Sequence, residues 1–292
     1  MGSLSYKRAV ILGAGGIIGP YLLERLIRAG YTVDCLSRRQ APSPRNGARW
    51  ITIDVTTPGT WRCRPETIVF SILPLWLLPP VLSHLSAARQ IVAFSSTSVL
   101  TKIDSADGHE RALAQRLRKS EHDLATYCEE SDLPWTVLRP TLIYGGGADK
   151  NVSAIARFIR RFGFFPVASP ARGLRQPVHA EDLANAAAAC IGNRAAWSEA
   201  FDLPGGETID YREMVRRIFQ AMGKRPVIVP LPELPLRLAA SASRVLRIFE
   251  YDPAVFSRMN WDLVFDDAPA RCALGYSPRR FEPELPVSCL IK

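Results

Sequence analysis

A chain of 292 residues with 47% hydrophobic and 22% charged residues has the composition of an ordinary globular protein and enough length to bury a large core. It carries no low-complexity tract and no solenoid repeat, and its formal charge of +9 suits anions in general without choosing among phosphates, acidic substrates, nucleic acid and a membrane surface. The six cysteines are scattered, with no CxxC pair and no His/Cys cluster, which argues against a zinc or thiol-redox site; no metal is expected.

In chain order the first half alternates short β-branched runs with amphipathic stretches. Strands are predicted at Arg8–Leu12, Thr32–Leu36, Trp50–Ile53, Thr67–Ile72, Gln90–Phe94 and Trp135–Leu138, with helices at Gly19–Arg28 and Ala112–Glu129. Such βαβ alternation calls for a parallel sheet covered by helices on both faces. Cys35, inside an apolar strand, reads as a small buried hydrophobe in a reducing compartment. The apolar run Ile68–Leu82 is shorter than a membrane span and is broken by Pro74, Pro79 and Pro80, so it reads as a buried strand followed by an apolar loop. Beyond residue 150 the rhythm loosens: helices at Ala154–Phe162, Ala180–Ile191 and Tyr211–Met222, a strand at Ala200–Leu203, and a proline-rich segment, Pro226–Pro235, leading into another helix and an irregular tail. The expected organisation is a dinucleotide domain over residues 1–150 and about 178–205, and a smaller lobe over about 151–177 and 206–292.

The sharpest motif is the run Gly13, Gly15, Gly16 and Gly19, directly between a strand and a helix. A glycine there makes the tight turn, another lets backbone approach a diphosphate, and the last lets helix and strand pack closely. The helix N-terminus adds free N–H groups and a partial positive charge. At the end of the second strand, Ser37 stands where NAD-binding proteins place an acid on the ribose 2′-hydroxyl, and Arg38 and Arg39 follow it. Two guanidinium groups suit a 2′-phosphate, so NADP is favoured over NAD.

The spacing of these glycines resembles that of extended and atypical short-chain dehydrogenase/reductases, a group that includes NAD(P)-dependent epimerases and dehydratases. Further segments are similar to that family: Asp54 closing the third strand, Ile91–Val99 (IVAFSSTSV), Arg139–Gly145 (RPTLIYG), Val178–Ala184 (VHAEDLA), Phe201–Gly206 (FDLPGG) and Phe265–Arg279 (FDDAPARCALGYSPR). The resemblance implies a Rossmann-type doubly wound parallel sheet of about seven strands, in the order 3-2-1-4-5-6-7, with a small C-terminal α/β substrate lobe. It implies a coenzyme-contacting set of Gly13, Gly15, Gly16, Ile17, Ile18, Gly19, Ser37, Arg38, Arg39, Asp54, Val55, Ser71, Ile72, Leu73, Ser95, Lys119 and Pro140.

The family's chemistry uses a serine, a tyrosine and a lysine four residues after the tyrosine, on one helix face. Ser96 takes the serine place and Lys119 the lysine place, which puts Gln115 where the tyrosine belongs. Glutamine is neither acid nor base near neutrality, so the usual proton transfer does not carry over. Tyr144, His109 or a water are the substitutes considered for the acid. Three readings stay open: an NADP-dependent oxidoreductase or isomerase of atypical mechanism acting on a small, rather apolar carbonyl or alcohol; a coenzyme-binding regulatory or assembly protein without turnover; and a nucleotide-sugar epimerase or dehydratase. Against the last stands Thr141, where sugar-nucleotide enzymes of the family usually carry asparagine. The loop Leu73–Val81 with Trp76 suits either the wall of an apolar pocket or packing beneath the second lobe.

The basic amphipathic stretches Ala156–Phe165 and Leu234–Phe249 suit a membrane surface or a partner, and more ordinarily the core of the lobe. The expected partner is a small-molecule substrate. No nucleic-acid signature and no transmembrane segment is found, the expected location is the cytoplasm, and monomer and homodimer remain equally open.

Overall fold

The computed structural model describes residues 7–39, 46–57, 61–105, 107–147, 149, 151–232, 256 and 258–285. Seven strands form one parallel sheet: β1 (Arg8–Leu12), β2 (Thr32–Ser37), β3 (Ala48–Thr52), β4 (Thr67–Ser71), β5 (Ala88–Phe94), β6 (Trp135–Pro140) and β11 (Glu199–Leu203). Their order is β3-β2-β1-β4-β5-β6-β11, all neighbours parallel. That is the doubly wound Rossmann order, with its topological switch between β1 and β4. The central strands are apolar on both faces: Val10, Ile11, Leu12, Val69, Phe70, Ile91 and Val92 are all buried, as expected of a sheet covered on both sides.

The helices follow the same logic. Helix α1 (Gly19–Arg28) buries Leu22, Leu23 and Leu26, takes a proline in its first turn and ends on Arg25 and Arg28, charges that suit a helix C-terminus. Helix α2 (Ser98–Thr101) is a single turn, and the long α3 (Gly108–Glu130) starts where the Asp107 carboxylate accepts from the N–H groups of His109 and Glu110. That cap starts α3 four residues earlier than the apolar pattern predicts. The apolar run after β4 is not a loop but two short 3₁₀ turns, Leu75–Leu77 and Pro79–Leu85. They bury Leu75, Leu78, Val81, Leu82 and Leu85 in the core that holds Leu117, Leu124 and Trp135, while the Arg116 guanidinium lies 5.3 Å over the Trp76 ring. The packing observed for this segment is within the first unit's own core, not the packing beneath the second lobe that the sequence suggested.

The chain divides into two compact units. The first collects Met1–Thr141, Ala180–Leu203 and Asp266–Ser277, the second Leu142–His179, Pro204–Phe265 and Pro278–Lys292. The first boundary falls some ten residues before the expected one, and the stretch 266–277 returns to the first unit instead of staying in the lobe. Its helix, counted as α7 (Ala268–Leu274), ends beside Asn193, whose amide donates to the Ala273 carbonyl at 2.7 Å.

Among the described residues, the second unit contains α4 (Val152–Phe162), α6 (Tyr211–Ala221) and three two-stranded ladders: β7 (Ile143–Tyr144) with β10 (Val178–His179), β8 (Phe165–Ala168) with β13 (Ile228–Leu231), and β9 (Leu174–Arg175) with β12 (Ile209–Asp210). Its core joins Ile155, Ile159, Phe165, Met214, Phe219 and Phe281. The expected helix after Pro235 and the stretch Leu234–Phe249 lie outside the described residues. No helix among the described residues is long and apolar enough to cross a membrane.

Candidate coenzyme site

The glycine loop sits at the carboxyl end of β1, where the sheet order reverses. The N–H groups of Gly13 and Ala14 both donate to the Leu36 carbonyl, at 2.9 and 3.1 Å, which ties the loop to the end of β2. Two of its glycines are required by what surrounds them. A Cβ on Gly15 would stand 2.9 Å from Ser37 Oγ and 3.8 Å from Arg39 Cδ, and one on Gly19 would run into the Ala14 carbonyl. The start of α1, at Ile18, has no side-chain cap. A loop that backbone can approach closely, opening onto an uncapped helix N-terminus, is a cradle for a diphosphate.

Around this cradle stand most of the residues the resemblance singled out. Ser37 is buried and its hydroxyl accepts from the Arg39 N–H at 3.1 Å, while Arg38 and Arg39 are exposed. The side chain of Arg39 lies against Gly15 and that of Arg38 is close enough to Asp54 to act on its titration. The acid nearest in sequence, Asp34, is held by Arg49 through bonds of 2.9 and 2.7 Å. Asp54 accepts from the hydroxyl and N–H of Thr56, which with Arg38 hold its carboxyl below the usual range. Val55 and Ile18 are buried in the core. Ser71 pairs across the ladder with Leu12, and Ile72 donates to the Leu12 carbonyl, so Ser71–Leu73 borders the glycine loop. Ser71 is fully buried, and its hydroxyl has no hydrogen-bond partner among the described residues. An orphaned hydroxyl beside a diphosphate-shaped cradle is the polar atom a dinucleotide would satisfy. The residues present fit the group.

The residues assigned to the chemistry are arranged differently. Gln115 and Lys119 are exposed: the Lys119 side chain is 75% accessible and its ammonium pairs with Asp123 at 2.8 Å, on the outer face of α3. Lys119 is thus turned to solvent instead of toward the strand ends, where Ser96 stands. The face of α3 turned inward carries Ala114, Leu117, Leu124 and Cys128, with the partly buried Glu121 among them. None of these inward positions is a tyrosine or a lysine. We expect Lys119→Ala and Gln115→Ala to leave the unfolding free energy within about 0.5 kcal/mol and coenzyme affinity unchanged, as measured by denaturation and calorimetry. A tenfold loss of affinity in Lys119→Ala would return that residue to the site.

Glu121 is what the sequence reading missed. Its carboxylate accepts from Ser95 Oγ at 2.5 Å and from Arg139 Nε and Nη2 at 3.0 and 2.6 Å. Arg139 in turn faces Asp202 at 3.8 Å, and burial raises the Asp202 carboxyl against the lowering effect of Arg139. The signal that would have found it is the spacing of Leu113, Leu117 and Leu124, which puts residue 121 on the apolar side. Ser96 accepts from the Ser98 N–H at the start of α2, and the Pro140 carbonyl accepts from Thr97. Tyr144, considered as an acid, is fully buried in the second unit's core, edge-on to His179 and Phe281, with its hydroxyl donating to the Arg280 carbonyl. It is a packing residue. His109 is exposed at the start of α3.

Residues 9–66 match the model of the NAD dependent epimerase/dehydratase family. Among curated proteins, the UDP-glucose 4-epimerase of Vibrio cholerae is 25% identical over 114 residues, 39% of this chain and 35% of that one. A second relative, the mitochondrial NADH dehydrogenase [ubiquinone] 1 alpha subcomplex subunit 9 of Arabidopsis thaliana, is 21% identical over 83% of this chain and 64% of its own length. The matches thus span about a third and just under two thirds of those relatives. Among solved structures, the epimerase Mth375 of Methanothermobacter thermautotrophicus superposes with a TM-score of 0.73 at 17% identity, over 94% of this chain and 88% of that one. The UDP-glucuronic acid 4-epimerase of Bacillus cereus in complex with NAD does so with a TM-score of 0.68 at 14% identity, over 93% of each chain. The chain is thus similar to the NAD dependent epimerase/dehydratase family over its first βαβ unit, and it shares the fold of these epimerases.

Proposed function

We propose that the protein binds a nicotinamide dinucleotide in the first unit, taking NADP in preference to NAD, and uses it in oxidoreductase or isomerase chemistry on a small carbonyl or alcohol. The observation that carries this reading is the loop in which Gly15 faces Ser37 and Arg39, with no free acid at the end of β2. When bound, the coenzyme supplies a hydride donor or acceptor. The chain's own residues do the holding: the loop amides grip the diphosphate, Ser71 Oγ adds a hydrogen bond, Arg38 and Arg39 clamp the 2′-phosphate, and Asp54 and Val55 border the adenine. Ser95, Ser96 and Pro140 line the nicotinamide end. That a related structure holds NAD supports a nicotinamide coenzyme; the preference for NADP rests on this chain's own arginines. Relatives named for UDP-glucose and UDP-glucuronic acid make sugar nucleotides the first substrates to try, beside apolar carbonyls.

A second reading, binding without turnover, is favoured by one observation: the inward face of α3 offers Leu117 and Glu121, so the proton-transfer pair of the family has no counterpart there. The relative named as a subunit of NADH dehydrogenase is in keeping with it. Calorimetry with NADP and NAD, followed by NADPH consumption with apolar carbonyls and by NMR analysis of sugar nucleotides incubated with a catalytic amount of coenzyme, separates the two. Net NADPH consumption or conversion of a sugar nucleotide into an isomer supports the enzyme, and saturable binding with neither change across the panel supports the second reading. Absence of heat and saturation with both coenzymes overturns the binding that the two share.

A further inference from the structure

Ser95, Glu121, Arg139 and Asp202 form a cluster that the diphosphate cradle does not use. Ser95 directly follows β5, Arg139 lies near the end of β6 and Asp202 near the end of β11, so the cluster marks the carboxyl edge of the sheet's second half. Its charges do not balance. Two carboxylates share one guanidinium, and Asp266 adds to the negative potential felt at Asp202. The other ion pair on this side of α3, Lys102 with Glu110 at 3.2 Å, is neutral as a pair, and the Arg116 guanidinium lies against Trp76. The side chains of Glu121 and Arg139 are 12% and 21% accessible, so the surplus charge is only partly screened by solvent.

A dinucleotide held by its diphosphate at the switch point lays one nucleotide over each half of such a sheet. With the 2′-phosphate arginines at the end of β2, the nicotinamide half falls on the side of β4, β5 and β6. The oxidised nicotinamide ring is a cation and the reduced ring is neutral, so the charge beneath the ring decides which form is held. We propose that the cluster centred on Glu121 is a charge-selective subsite that makes the protein hold NADP⁺ more tightly than NADPH. The inference rests on the coenzyme reading above. One surplus charge acting on the ring at the effective dielectric of a half-buried site would correspond to a preference of about fivefold to tenfold.

The test is the ratio of dissociation constants for NADPH and NADP⁺, measured at low ionic strength on the wild-type chain, Glu121→Gln and Lys119→Ala. The wild type is expected to favour NADP⁺ about fivefold to tenfold, and Glu121→Gln to bring the ratio within about twofold of unity. Lys119→Ala, which removes a charge from the outer face of the same helix, is expected to keep the wild-type ratio. If Glu121→Gln does not fold, Asp202→Asn removes one negative charge from the same cluster and is expected to lower the ratio likewise. A wild-type ratio near unity, or one that survives the loss of Glu121 or Asp202, overturns the subsite. Failure of the coenzyme reading looks different: 2′,5′-ADP, which has no nicotinamide ring, would then fail to bind along with both coenzymes, whereas failure of the subsite alone leaves 2′,5′-ADP binding intact.

Discussion

Replacing Arg38 and Arg39 together by alanine is expected to weaken NADP binding by about a hundredfold while leaving NAD within about threefold. The two arginines follow β2, where the acid nearest in sequence, Asp34, is occupied by Arg49. Each is positioned by a different neighbour, Arg39 by Gly15 and Arg38 by Asp54. A charge-assisted hydrogen bond to phosphate contributes about 1.5–3 kcal/mol, and both groups are exposed, which favours the lower figure. Two such bonds lost give roughly the stated factor. NAD has no 2′-phosphate and should lose little beyond the general pull of two positive charges. Calorimetry with both coenzymes at one salt concentration checks this, and equal losses for the two would remove the phosphate clamp from the site.

Gly19→Ala is expected to cost the fold about 3 kcal/mol or more and to abolish dinucleotide binding. The added methyl would be driven into the Ala14 carbonyl, and the atoms it meets are backbone, which cannot swing aside as a side chain can. Relief requires α1 to move away from β1, which opens the cradle that the loop amides form. Gly108→Ala is the matched control. It lies in the first turn of α3, its new methyl would come only within 3.8 Å of the Arg111 guanidinium, and helix propensity favours alanine. It is expected to be neutral or slightly stabilising. Thermal melts and coenzyme titration of the two variants decide the matter: a Gly19→Ala chain that melts and binds like the wild type would mean that the helix and the loop are not tightly packed.

The sheet was legible in the sequence because its strands are apolar on both faces and its punctuation is sharp. Arg8–Leu12 and Gly19–Arg28 match their predicted bounds, since a β-branched run, a glycine loop and a proline in the first helical turn leave little freedom. The diphosphate cradle was legible for the same reason. Helix α3 was harder. It is long and mostly polar, so its inward stripe is narrow, and a shift of two residues along it is a rotation of about 200°. Reading Lys119 as the inward residue therefore faced the helix almost backwards, and Glu121, two positions on, was the group that points to the strand ends. The apolar run after β4 misled in another way: Pro79 and Pro80 read as loop-makers, yet they sit in the first turn of a 3₁₀ segment, where their missing N–H groups cost nothing. Nor could the return of 266–277 be seen locally, because Asn193 recognises a backbone carbonyl eighty residues away, and a carbonyl leaves no mark on composition.

That return has a consequence for how the protein is made. The sheet-bearing unit is assembled from three stretches separated by two of the other unit's three, Leu142–His179 and Pro204–Phe265, and its closing piece is α7. On the ribosome, β1 to β6 can pair early, but β11 and then α7 emerge only after long intervening segments. The β6 edge and the amide of Asn193 must wait for partners, and contacts of such long range form slowly. A nascent chain halted before residue 199 would thus carry a finished glycine loop on an unfinished sheet, and it is in this interval that chaperone capture and edge-to-edge mispairing have their opportunity.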